Sequence, residues 1–209
     1  CFIGIIMDQN KLDISSRVAA FATKYIKYIV LGAIIGVAVP LLLNFQQYRA
    51  EQKNISASDL YYELINLANT SEETHELAQE IFENHEGSVY ETLVKFILSK
   101  KEFENKNYDL SKKYLEDIIK SNNNEAYVSL AYIKISLIHI ENKDYDEALL
   151  FLDKVKTKKS FQHVLSEIKG DIYNFKGDKN KSLLHYNEAL EASAIDNENL
   201  LMKRNSVKD

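Results

Sequence analysis

The sequence predicts an all-α fold: a solenoid of helical hairpins preceded by one N-terminal transmembrane helix. Three observations lead there. The 209 residues include six Gly and one Pro, too few for turn-dense β architectures. A stretch without any charge runs for 21 residues, from Tyr28 to Tyr48. Beyond it, apolar residues recur at i, i+3, i+4 and i+7, and one pattern of small and large side chains returns at a fixed spacing.

Composition narrows the function classes. A hydrophobic fraction of 45% and a charged fraction of 27% exclude a wholly disordered chain. The single Cys excludes an intramolecular disulfide framework and a cysteine-based zinc cage. Net charge is −5. Residues 1–48 carry Lys11, Arg17, Lys24 and Lys27 against Asp8 and Asp13. That segment is +2, which leaves −7 on residues 49–209. An acidic body does not suit nucleic acid, whose binding rests on cations that neutralise phosphates.

At about 1.5 Å per residue, the uncharged run spans roughly 30 Å, the thickness of a bilayer's hydrocarbon core. It shows no polar stripe before Asn44, and Tyr25, Tyr28 and Tyr48 bracket it at the depth amphipathic rings prefer. The sequence after it, Asn44-Phe-Gln-Gln-Tyr-Arg49, offers no small-residue cleavage site. Cys1 stands where a lipoprotein carries its lipid, but a full span downstream makes that anchor redundant. Met7 is expected to be the true start, with Cys1–Ile6 as upstream sequence or a fragment's edge. Cations concentrate before the span, which orients the N-terminus to the cytoplasm. The expected organisation is a short cytoplasmic segment at 1–27, a transmembrane helix at 28–48, a periplasmic repeat domain at 49–197, and a capping helix and tail at 198–209. Pro40 should kink the span. Gly32 and Gly36 form a small-xxx-small pair that either permits close helix packing in lipid or simply reflects the frequency of Gly in spans.

After residue 49, helical stretches are separated by polar breaks at 70–73, 86–88, 106–107, 121–124, 142–144, 156–159 and 176–178. Three segments align without gaps: 107–118, 144–155 and 178–189. Ser111, Ala148 and Ser182 share one position, with Leu115, Leu152 and Tyr186 four residues on and Ile118, Val155 and Ala189 three after that. The spacings are 37 and 34, and a weaker unit around Ala78 and Phe82 lies 33 upstream. Twelve residues before each small residue stand Asn66, Ser99, Ser136 and Gly170. Small side chains there let the two helices of a hairpin approach closely; Asn66 fits less well. Gly170 and Tyr173 sit three apart, as in the tetratricopeptide signature. The unit is tetratricopeptide-like (TPR-like), clearest in the last two repeats. The segment 198–207 would cap the outer apolar face, as end repeats require.

Span and repeats together resemble the YfgM-type ancillary subunit of the bacterial Sec translocon. The resemblance covers nearly the whole chain after Met7. It is most specific at Leu165-Ser-Glu-Ile-Lys-Gly-Asp-Ile-Tyr-Asn-Phe-Lys-Gly-Asp-Lys179 and Leu200-Leu-Met-Lys-Arg-Asn-Ser-Val207. It implies a non-enzymatic docking factor in the bacterial inner membrane. The implied partners are Sec translocon membrane subunits, a membrane-anchored periplasmic chaperone of the prolyl-isomerase type, and membrane lipid. Two alternatives share the architecture: an envelope scaffold or assembly factor, and a stress-response regulator acting through the cytoplasmic tail. The segment before the span is short and poor in acids compared with the family.

The sequence points to no catalytic residue, metal or cofactor. His75, His85, His139, His163 and His185 do not have the His-Glu-x-x-His spacing, and there is no Gly-rich phosphate loop or Gly-x-Ser-x-Gly elbow. The run Lys154–Lys159 reads as a solvated helix end. The segment Ala126–Ile140 is apolar nearly all round. In the repeat register, Leu130, Ile133, Leu137 and Ile140 would face the concave surface, with Leu93, Phe96 and Phe103 in corresponding places one repeat earlier. They form either an apolar groove for a protein segment or packing against neighbouring helices.

Overall fold

A computed structural model describes residues 2–67, 71–193 and 197–208. Side chains are described from residue 19 onward, except at 22, 29, 50, 53, 71, 72 and 208. Cys1, Thr70 and Asp209, and the side chains of Met7, Lys11 and Arg17, lie outside that description. The described residues form helices joined by short turns, with no strand among them: α1 (Phe2–Asn66), α2 (Ser71–Asn84), α3 (Val89–Glu104), α4 (Tyr108–Ser121), α5 (Glu125–Glu141), α6 (Tyr145–Asp153), α7 (Gln162–Phe175), α8 (Lys179–Ala192) and α9 (Glu198–Lys208). Ser71–Glu73, expected in a break, open α2 instead. The protein is a TPR-like helical solenoid with one apolar N-terminal helix.

The chain divides into two compact units, Cys1–Ser56 and Ala57–Asp209. In the first, the described side chains are exposed apart from half-buried Ala38. Between Thr23 and Asn66, α1 is long and apolar enough to cross a membrane, with a mean hydropathy of 2.3 in its most apolar window. Pro40 lies inside it. A helix of this kind, uncovered by protein, is compatible with a single-pass anchor.

In the second unit the hairpins follow from one repeated design. Ser111 Oγ donates to the Ser99 carbonyl at 2.8 Å and lies 3.0 Å from Ser99 Oγ. Ser182 Oγ donates to the Gly170 carbonyl at 2.9 Å. Twelve residues thus separate the two contact points of a hairpin, as the spacing requires. A left-handed residue closes each turn: Lys106 at φ 61°, Lys143 at φ 63° and Gly177 at φ 77°. The next amide bonds back five residues, from Asn107 to Glu102, Asp144 to His139 and Asp178 to Tyr173, at 2.8–2.9 Å. These bonds satisfy carbonyls that a helix end leaves open. Ser88 and Asp178 cap α3 and α8 by accepting from the amides of Glu91 and Lys181.

Each core joins neighbouring helices. Leu64, Ala78, Ile81, Val94 and Leu98 link the end of α1 to α2 and α3. Leu115, Ile118, Ala131, Ile135 and Ile138 link α4 to α5. Ala148, Leu152, Val155, Leu165, Ile168 and Ile172 link α6 to α7, and Tyr186, Ala189, Leu200 and Val207 link α8 to α9. Burying each large apolar side chain contributes about 1.5–3 kcal/mol. The core is therefore a row of local contributions, as in stacked repeats.

Candidate protein-binding surface

The helix α5 decides which groove candidates remain available. It is apolar all round because it packs against α4 on one side and against α6 and α7 on the other. Ile133 is 3% exposed and packs with Ala148, Leu152 and Ile172. It is a core residue and not a groove residue, because the neighbouring hairpin covers that side of α5. Leu93 and Leu130 are half-buried. Phe96 and Phe103 are half-buried against the α4–α5 core, their rings 6.4 Å from Tyr127 and 5.5 Å from Tyr108. Ile140 packs partly on the α6–α7 core. Leu137 is the most open of the set, at 37%. A Cβ added at Gly32 or Gly36 would meet nothing within 4 Å.

Two of these residues share a cavity. A crevice of about 260 Å³ opens between α3, α4 and α5. Phe103, Leu115, Leu137 and Ile138 give it apolar walls, the hairpin serines Ser99 and Ser111 line it, and Lys100, Glu104 and Lys134 supply charge. Leu93, Phe96, Leu130 and Ile140 do not line it. Lys134 is half-buried and makes no hydrogen bond or ion pair among the described residues. Burial pushes its ammonium pKa below the usual lysine value, and Lys100 lowers it further by repulsion. Lys100 has an exposed contact with Glu104 at 3.6 Å.

The repeat register carried a signal for these lysines. Lys100 follows Ser99 by one position and Lys134 precedes Ser136 by two, so both lie beside the hairpin contact points. The sequence analysis singled out neither of them.

In the last hairpin the same register is already filled. Glu167 and Asp171 of α7 correspond to Phe96 and Lys100 of α3. Lys203 of α9 contacts both carboxylates at 2.8 Å. Burial works against the Lys203 ammonium, but its hydrogen bonds to Asp171 and Glu167 win and its pKa is raised. The Tyr186 hydroxyl donates to Asp171 at 2.7 Å. One end of the solenoid is thereby closed by its own cap. No group of three or more metal-ligating side chains gathers among the described residues.

A family model described as a tetratricopeptide repeat-like domain matches residues 20–209. The chain belongs to that family. No curated protein matches it. Tetratricopeptide repeat-like domains are typically non-catalytic protein-interaction modules, which points to protein partners for this one.

Proposed function

We propose that this tetratricopeptide-like protein is a membrane-anchored, non-enzymatic interaction factor that works beside the Sec translocon and links translocation to periplasmic chaperones. The observation that carries the interaction role is the α3–α5 crevice, where Phe103, Leu137 and an unpaired lysine stand partly open side by side. Support for the translocon as partner is the resemblance of residues 165–179 and 200–207 to the YfgM-type family. The apolar part of α1 would hold the chain in the bacterial inner membrane, with the repeats in the periplasm. Leu137 and Phe103 would contact the partner, and Gly32 and Gly36 would let the span pack against membrane helices.

Affinity purification of the full chain from detergent extracts tests this role. Translocon membrane subunits and a membrane-anchored prolyl-isomerase-type chaperone should be recovered together. Recovery of other envelope proteins without any translocon subunit would point instead to an envelope scaffold.

A further inference from the structure

The crevice has a chemistry of its own. Its two lysines come from neighbouring hairpins, Lys100 on α3 and Lys134 on α5. Lys134 has no acid of its own, and Lys100 has only the exposed Glu104 contact. A half-buried ammonium without a counter-charge is costly, and a second cation beside it adds to the cost. Phe103 and Leu137 are likewise left partly uncovered on the open side, above the buried Leu115 and Ile138. The neighbouring cavity, lined by Leu64, Ile97, Lys100 and Lys101, extends the same character. The Nζ of Lys101 is buried without a hydrogen-bond partner. Lys100, Lys101 and Lys134 thus line the two cavities, against Glu104 as the one carboxylate among the lining residues of both.

The molecule contains a precedent for what would settle such a site. At the corresponding register of α7, α9 lays a helix against the solenoid and brings Lys203 to Glu167 and Asp171 while Leu200 and Val207 enter the core. After the α3–α4 hairpin the place of α9 is taken by α5, which brings Lys134 towards Lys100 where α9 brings a lysine to two acids.

We propose that the α3–α5 crevice binds an acidic, apolar protein segment, with a carboxylate set between Lys100 and Lys134 and an apolar side chain seated against Phe103 and Leu137. This recognition deepens the interaction role proposed above and rests on it. A carboxylate there makes charge-assisted hydrogen bonds in a partly dry site, where they are strongest.

The test uses the full chain in detergent and two matched pools of short fluorescein-labelled peptides. One pool carries a central aspartate among leucine and phenylalanine positions; the other carries asparagine in its place. The aspartate pool should bind about tenfold tighter or more. The preference should disappear in Lys134→Met and in Lys100→Gln. Lys134→Met should melt no lower than the parent, because it removes an unpaired, half-buried charge. Equal binding of the two pools overturns the charge recognition, and no binding of either overturns the site. If Lys134→Met fails to fold, exposed Lys100→Gln still decides, and an undiminished preference in that variant overturns the proposal. Failure to recover translocon subunits with the aspartate preference intact would remove the translocon as partner and leave the crevice in place.

Discussion

Gly170 occupies the tightest point of the last hairpin. A Cβ placed there would lie 2.5 Å from Cδ1 and 2.6 Å from Cε1 of Tyr186. The ring has little room to give, since Tyr186 is 1% exposed and its hydroxyl is held by Asp171. Gly170→Ala gains about 1 kcal/mol of helix propensity, but overpacking costs about 1–3 kcal/mol. With a fixed ring, overpacking should win, and urea unfolding should show a net loss that grows in Gly170→Leu. Stability equal to the parent's would mean that α7 and α8 can part freely. Tyr186 also sets a pH dependence. Burial foremost, and then Asp171, raises its phenol pKa above the ordinary value of 10. The folded state thus keeps a proton that the unfolded state gives up above pH 10. Its contribution is complete below that pH and is lost as pH rises toward the folded value. Alkaline unfolding curves of the parent should accordingly fall faster above pH 10 than those of Tyr186→Phe. Parallel curves would mean that the phenol is not held.

Helices and turns were legible in the sequence to the extent that they repeat. The Ser99–Ser111 and Gly170–Ser182 contacts follow directly from a twelve-residue spacing of small side chains, and the left-handed turns recur with the same 37- and 34-residue offsets. Two of those turns use Lys where the third uses Gly. A non-Gly residue in the left-handed region is strained by roughly 1–2 kcal/mol, partly offset by the greater unfolded freedom of Gly. Lys143→Gly should therefore stabilise by about 0.5–1 kcal/mol, read as a higher urea midpoint, and an unchanged midpoint would mean the turn carries no such strain. The binding surface was harder to read, for two physical reasons. Because α5 is apolar on every side, periodicity cannot tell its groove from its core, and Ile133 falls in the core while Leu137 stays open. Lys134 looks like any surface lysine until its neighbours are placed around it. Positions 133 and 137 should now separate in experiment. Ile133→Asp buries an uncompensated charge and should lower the melting temperature steeply. Leu137→Asp places a carboxylate beside Lys134 at a 37% exposed position. It should melt near the parent yet bind the aspartate peptide pool poorly, because the intramolecular carboxylate competes for the lysines. A parent-like affinity in Leu137→Asp would place the binding elsewhere.

At the scale of the whole chain, the two compact units make different physical demands. The repeat unit closes its cores hairpin by hairpin and carries a net negative charge. The apolar stretch of α1 has no core to enter, since Val30, Ile34, Val37, Leu41 and Leu42 are all about half exposed or more. Placing that stretch in a bilayer removes the cost of wetting it, and flanking charge then sets its direction. Lys24 and Lys27 stand just before the uncharged run, with Lys11 and Arg17 further upstream, whereas Arg49 and Lys53 follow it. Cytoplasmic flanks carry the cationic excess, so the repeats should face the periplasm. A reporter active only outside the cytoplasm, fused after Asp209, should be active, and one active only in the cytoplasm should be silent there. Charge as the cause can be separated from the span itself. Replacing Lys11, Arg17, Lys24 and Lys27 by Gln removes the bias while leaving the residues from Tyr28 to Tyr48 untouched. Reporter activity should then become mixed. Undiminished periplasmic activity in that variant would mean that something other than the flanking cations fixes the direction, and strong cytoplasmic activity in the parent would reverse the proposed orientation outright.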